Sequence, residues 1–401
     1  MNYLSDRNQI WLITYNFGEV KAGPVIRFLR YEPAFRKMGY QLIFITKQRG
    51  SNHGYRKSDD GIISYHIPCK TLTELTREAL KMVRACVVPP CCLLFLSLHY
   101  QNFFDLKKVI KTGIKCVYIS TMQLSILVNQ SSGKNRSWIR MLILRQVLKK
   151  LYSQMHVIVS STIELSQDFT QLGIPESKLK IIFNGVDTDR FFPASVAHKT
   201  TQRNELLLPQ RVYILLYVGL FIERKGVDNL LLTISELRKR RDDFKLLMVG
   251  NEKDIHENSD EFNTRWPILK MEALKQEWLI VHPFSPDIER YYKASDIFIF
   301  MSKLEGMPNV LLEAMSSGIV VATTRFNGFS DEYGISGQNY MEIPNNCISA
   351  ADSLDRLLND NELRKRISEG GRELAIEKFN IDQSIKNYTL IFQSSCVVSK
   401  E

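Results

Sequence analysis

In the stretch LEGMPNVLLEAMSSG, residues 304–318, two glutamates stand eight positions apart. Glu305 precedes a Gly-Met-Pro turn and Glu313 lies inside an apolar run. Such a placement raises the question of what two carboxylates could do there. Ile297–Met301 is a β-rich apolar run, so Glu305 falls in the turn after a strand. Pro308 suits the first position of a helix, where its missing N–H costs little. Gly318 is a helix stop signal. The free N–H groups at such a helix start form an anion site. Met307, at the expected cap position, offers no side-chain acceptor, which leaves those donors for a ligand. The two glutamates would then line one pocket at different depths. An ordinary strand–turn–helix with one surface and one helical glutamate fits the same letters, and the spacing alone does not decide.

Two further stretches bring phosphate-binding chemistry. LLYVGLFIERKGVDNLL, residues 215–231, reads as a strand, a loop and a helix from about Val227. Arg224 and Lys225 fall at the strand's carboxyl end, a fork donor and a point charge for a diphosphate. A solvated basic turn is the plainer reading of an isolated pair. In ITYNFGEVKAGPVIRFL, residues 13–29, Gly23 would let backbone approach a phosphate closely. No G-x-G-x-x-G occurs in the chain, which argues against a nicotinamide dehydrogenase.

These residues need strands to hold them. The chain has 401 residues, 44% hydrophobic and 24% charged, which suits two domains with real cores. Strand candidates are Ile10–Thr14, Gln41–Thr46, Ile62–Ile67, Cys91–Leu98, Lys115–Ser120, His156–Ser160 and Lys180–Phe183, then Val212–Val218, Phe244–Val249, Leu279–Val281, Ile297–Met301 and Ile319–Thr323. They alternate with helical patterns, which means βαβ units and parallel sheets with helices on both faces. Near-continuous apolar runs suit strands buried on both sides. Residues 184–211 are polar, turn-rich and aperiodic, and read as the seam between two doubly wound domains. Ligands of such sheets bind outside the carboxyl ends of the strands, so two facing domains would place one site in the cleft between them.

NGVD ahead of Phe191, VG followed by ERKG, and SDIFIFMSKLEGMPNVLLEAMSSGIVVATT together resemble the retaining nucleotide-sugar glycosyltransferases of family four, which have the GT-B fold. The stretch VIVSSTIELSQDFTQLGIPESKLKIIFNGVDTDRF is similar to that family's approach to its linker. The resemblance spans nearly the whole chain and is strongest from Ile158 to Thr323. It implies a Rossmann-like acceptor domain over 1–188, a Rossmann-like donor domain over 189–378, and a helix in 379–401 that crosses back to the first domain.

The resemblance also implies roles. Glu305 would contact hydroxyls of the donor sugar, and Glu313 would hold the ribose hydroxyls. Gly306, Met307, Pro308, Asn309 and Val310 would receive the diphosphate and sugar. Lys225 would sit on the diphosphate, faced by the backbone of Gly23. The implied reaction moves a sugar from a nucleotide-diphosphate sugar to an acceptor hydroxyl with retention, the acceptor being a polysaccharide, lipopolysaccharide or lipid-linked glycan precursor. Glu305 and Lys225 carry the catalytic expectation, through orientation of the sugar and stabilisation of the leaving diphosphate.

The chain departs from the family pattern in two places. Leu220 stands where members often have arginine, with Arg224 as a substitute cation. YISTMQ replaces a loop that often holds histidine, leaving Ser120 or Thr121 there and His99 as a distant stand-in. Two alternatives stay open: a GT-B nucleotide-sugar epimerase, and a non-catalytic nucleotide-sugar-binding protein. DTD at 187–189 imitates a metal motif but lies in a linker turn, so no metal and no cofactor beyond the donor are expected.

The net charge of +10 favours an anionic partner. No RNA-binding strand signature occurs, so nucleic acid is not expected. GKNRSWIRMLILRQVLKKLY, residues 133–152, could touch an anionic membrane, although its cations do not share one helical face and a packed helix with basic edges is the plainer reading. Pro89 and Pro90 interrupt the most apolar window, 85–100, whose remainder is too short to span a bilayer. Seven cysteines with no C-x-x-C pair and no charged, apolar leader suit a cytoplasmic protein.

Overall fold

The computed structural model describes residues 8–15, 17, 23–48, 54–121, 138–252 and 258–396. They divide into two compact units, residues 1–184 with 382–401, and residues 185–381.

The first unit is built on β1 (Gln9–Ile13), β2 (Gln41–Lys47), β3 (Gly54–Lys57), β4 (Ile63–Ile67), β5 (Cys92–Phe95), β6 (Lys115–Ser120), β7 (Val157–Ser160) and β8 (Leu179–Ile181). Their order is β3-β4-β2-β1-β5-β6-β7-β8. Every pairing is parallel except β3 with β4. All five residues of β1 are buried, as a strand covered on both faces requires.

The terminal helix Ile381–Cys396 belongs to this unit because helix Gly23–Lys37 presents an aromatic ridge to it. Phe28 and Tyr31 meet Tyr388, and Phe35 meets Phe392 at 5.2 Å between ring centres. The spacing of four between Tyr388 and Phe392 sets both rings on one helix face. Lys115 Nζ adds a hydrogen bond to the Ile391 carbonyl at 3.1 Å.

The second unit contains β9 (Tyr213–Val218), β10 (Phe244–Val249), β11 (Leu279–His282), β12 (Ile297–Phe300), β13 (Val320–Thr323) and β14 (Met341–Glu342). The order is β11-β10-β9-β12-β13-β14, all parallel. From β9 the chain winds outward through β10 and β11, then returns and winds the other way from β12. The reversal lies between β9 and β12, where doubly wound sheets open a crevice at their carboxyl ends. Residues 215–231 and 304–318 leave the sheet there.

Three expectations need correction. The helix after β12 spans Asn309–Ser316, and Pro308 is its cap, not its first residue, because its ψ of 119° is extended. Gly318 follows with φ +63°, the left-handed stop. The seam between 184 and 211 is not all loop: Val196–Glu205 is a helix capped by the Ser195 side chain. Its only buried residues are Gln202 and Arg203, so no apolar period betrays it. It docks through ions instead, with Lys199 and Arg203 on Asp296 at 2.5 and 2.7 Å. Third, β3 and β14 extend the sheets beyond the strands anticipated.

Candidate active site

Three loops of the second unit are stitched together at the switch point. The first leaves β9 and closes in a single 3-10 turn, Glu223–Lys225, ended by Gly226. Gly226 has φ +65°, and a Cβ there would lie 2.0 Å from the Met301 carbonyl oxygen. Glycine alone tolerates both conditions. The second loop leaves β12. Its Lys303 N–H donates to the Arg224 carbonyl at 2.8 Å, and its Glu305 N–H donates to the Asn327 carbonyl at 3.0 Å. The third loop turns at Gly328, φ +89°, where a Cβ would meet the Glu305 carbonyl oxygen at 2.0 Å.

This frame concentrates donors on one carboxylate oxygen. Glu305 Oε1 accepts from Lys225 Nζ at 2.6 Å, Ser302 Oγ at 2.6 Å and Arg224 at 3.1 Å. No hydrogen bond reaches Oε2 among the described residues, and the side chain is 11% exposed. Arg224 also donates to the Leu304 carbonyl at 2.7 Å. Lys225 Nζ lies 5.4 Å from the centre of the Phe300 ring.

Burial pushes the Glu305 carboxyl upward, but Lys225, Arg224 and the hydrogen bonds outweigh it and hold the group below its ordinary value. Burial pulls the Lys225 ammonium down and Glu305 only partly restores it, so its net shift is downward. Two cations against one carboxylate leave one positive charge in a half-dry loop cluster, which suits an anion.

Glu313 lies in the helix Asn309–Ser316 and is 3% exposed. Its Oε2 accepts from the Tyr292 hydroxyl at 3.0 Å. No side chain caps this helix. Gly306, Met307 and Pro308 are buried, and Asn309 and Val310 are half-buried. The structure thus gathers Arg224, Lys225 and Glu305 in one cluster and hangs Glu313 on the helix that follows.

Gly23 belongs to the other unit, where it begins the helix Gly23–Lys37. A Cβ there would meet nothing within 4 Å, so local packing does not demand glycine.

Leu220 carries no charge into the site, but its carbonyl accepts from the buried Tyr217 hydroxyl at 2.8 Å and shapes the loop. Ser120 ends β6 and Thr121 follows it. His99 caps the 3-10 turn Tyr100–Asn102, its ring nitrogen accepting from the Gln101 N–H at 3.4 Å. Asp187 of the DTD stretch accepts from the N–H groups of Asp189 and Arg190 at 3.1 and 2.9 Å, the work of a turn. Among the described residues, no three His, Cys, Asp or Glu side chains are grouped to hold a metal ion.

Sequence reasoning missed Ser302 and Tyr292. Ser302 directly follows β12 and Met301 and could have been found by its position. Tyr292 had no signal, because its partner lies twenty-one residues away on another helix.

Residues 198–374 match the family described as Glycosyl transferases group 1. The chain is 26% identical over 229 residues to the capsular polysaccharide biosynthesis glycosyltransferase CapM of Staphylococcus aureus, covering 56% of this chain and 55% of that one. It spans between 55% and 60% of the length of the first curated relatives it matches. Sucrose-phosphate synthase from Thermosynechococcus elongatus superposes with a TM-score of 0.76 at 18% identity, covering 96% of this chain and 98% of that one. HepE from Anabaena, solved with UDP-glucose, superposes with a TM-score of 0.73 at 13% identity, covering 96% and 99%. These likenesses show the fold, which is GT-B.

Proposed function

We propose, from the match of residues 198–374 to the group 1 glycosyl transferases and from the GT-B fold, that this protein is a glycosyltransferase. It moves a sugar from a nucleotide-diphosphate sugar to an acceptor hydroxyl with retention of configuration. The observation that carries this reading is the one-sided loading of Glu305. Three donors hold Oε1 and set the plane of the carboxylate, while Oε2 carries no bond among the described residues. An oriented carboxylate with one oxygen to spare can accept from a sugar hydroxyl.

Arg224 and Lys225 stand beside that oxygen and would neutralise the diphosphate as it leaves. Arg224 takes the place left by Leu220. The helix at Asn309 adds its positive end, and Glu313 takes the ribose. The backbone at Gly23 would serve the same phosphates, and the first unit would take the acceptor. The likeness to CapM supports a polysaccharide acceptor among the polysaccharide, lipopolysaccharide and lipid-linked classes expected, and HepE with its UDP-glucose supports a nucleotide-sugar donor. Lys225 and Arg224 would do this work without a metal.

We place the protein in the cytoplasm, touching the inner face of an anionic membrane. Helix Trp138–Tyr152 buries Leu148, Leu151 and Tyr152 but exposes Leu142 and Ile143 beside Arg145, Lys149 and Lys150. Exposed apolar residues among cations suit a lipid surface. Residues 133–137 of that basic stretch lie outside the described residues. No described helix is long and apolar enough to cross a membrane.

A thermal-shift panel of UDP-, GDP-, ADP- and CMP-linked sugars tests the donor, since a ligand of the folded state raises Tm. One class should stabilise the protein. Incubation of that donor with acceptor extracts should release nucleotide only when acceptor is present, with or without EDTA, and the product should keep the donor's anomeric configuration. Conversion of donor to a new sugar without acceptor would establish the epimerase instead. Binding with no consumption under any acceptor would establish a non-catalytic protein.

A further inference from the structure

Tyr292 is fully buried in the short helix Glu289–Ala294, which leads into β12. Its ring is wedged by Phe191 at 5.8 Å and Phe298 at 5.9 Å between ring centres. Its hydroxyl lies 3.0 Å from Glu313 Oε2 and 3.2 Å from the Val310 carbonyl oxygen. A phenol has one proton to give. The Val310 carbonyl lies inside a helix with its own i+4 donor, whereas the carboxylate draws the stronger, charge-assisted bond. The hydroxyl therefore donates its hydrogen bond to Glu313 Oε2.

We infer that Tyr292 is the positioning residue for the ribose of the donor nucleotide: its hydroxyl clamps one oxygen of Glu313 so that the carboxylate presents a set geometry to the ribose diol. This inference rests on the reading of Glu313 as the ribose contact. The physical reasoning is that a glutamate has three rotatable bonds, and a helix fixes only the first of them tightly. Glu313 is nearly buried but must still meet two hydroxyls. A rigid aromatic, itself locked by two other rings, supplies a constraint on it from a separate element. The clamp also ties that contact to the start of β12, the strand whose following loop carries Glu305.

The test compares nucleoside diphosphates with their 2′,3′-dideoxy forms. UDP, GDP and ADP are titrated first to find the one that binds wild-type protein most tightly, and its dideoxy form is then titrated alongside it. Y292F keeps the ring and removes only the hydroxyl. The expected result is that wild type prefers the ribose form, and that Y292F binds the ribose form about tenfold more weakly while its affinity for the dideoxy form is unchanged. A merely structural role would weaken both forms alike. Y292F discriminating as well as wild type would overturn the inference and leave the ribose reading intact. E313Q separates the two failures: if wild type and E313Q both bind the ribose and dideoxy forms equally, Glu313 is not the ribose contact, and the inference falls with that reading. Circular dichroism of Y292F checks folding, and Y292W, which keeps an aromatic without the phenol, should lose discrimination in the same way.

Discussion

The Lys225 ammonium meets the Glu305 carboxylate at 2.6 Å, joining the loop after β9 to the loop after β12 across the point where the strand order reverses. Arg224 shares the same oxygen at 3.1 Å. The two cations of the cluster are thus already shared with an internal counterion. On the proposed function, a diphosphate entering it would compete with Glu305 for them, and a sugar hydroxyl would meet a carboxylate already held in place.

Glu305→Gln is expected to lower kcat/KM by about a hundredfold or more, the scale of losing one oriented group in a polar catalytic site. Affinity for nucleoside diphosphate should hold or rise, because the two cations lose their internal competitor. Steady-state kinetics and isothermal titration check both halves. Turnover like wild type would sink the assigned role.

Lys225→Ala should weaken nucleoside diphosphate binding about tenfold to a hundredfold, the scale of a charge-assisted hydrogen bond. Binding of the plain nucleoside should hardly change. Lys225→Arg should recover part of the diphosphate affinity. Equal losses for diphosphate and nucleoside would show that Lys225 does not face the phosphates.

The Glu305 carboxyl is held below its ordinary value in the folded state. A carboxyl lowered by folding contributes stability that is complete above its unfolded value, near about 4, and is lost as pH falls through its lower folded value. The stability advantage of wild type over Glu305→Gln should therefore persist from neutral pH into the ordinary carboxylate range and shrink only below it. Its size at neutral pH should be about 3 kcal/mol, the scale of breaking a largely buried pair. Urea denaturation of both proteins along a pH series measures the difference. An advantage that vanishes well above the ordinary carboxylate value would contradict the depressed carboxyl.

Gly226→Ala should destabilise the second unit by about 2 kcal/mol from the left-handed backbone alone. The close approach to the Met301 carbonyl adds to that cost. A lower urea midpoint and a lower donor affinity are expected together, since the same turn carries Arg224 and Lys225. An unchanged midpoint would mean that the two loops separate at no cost.

The alternation of apolar runs showed two parallel sheets, and the site-bearing loops fell where the runs ended. Glu305, Lys225 and Arg224 could be set at strand ends from the sequence, but their spacing left a surface glutamate and a solvated basic turn open, and only the resemblance to a family motif singled them out. Ser302 and Tyr292 were not legible, because serine and tyrosine are ordinary in such places and their meaning comes from partners on other elements. The helix Val196–Glu205 escaped because ion pairs to Asp296, not an apolar stripe, hold it down. β3 escaped because three of its four residues are exposed, and β14 because it is two residues long.

Lys225 and Glu305 stand eighty residues apart in the chain. The sheet neighbours β9 and β12 can pair only after the chain has gone out through β10 and β11 and come back. Loop closure of that length opposes folding until the pairing rewards it. During synthesis, Arg224 and Lys225 leave the ribosome long before their carboxylate does, and wait in water as ordinary solvated cations. Their pairing with Glu305 therefore waits until the chain has passed residue 305. A nascent chain stopped before residue 305 would carry a basic, unclosed loop and an open strand edge at β9, a species prone to misassociation.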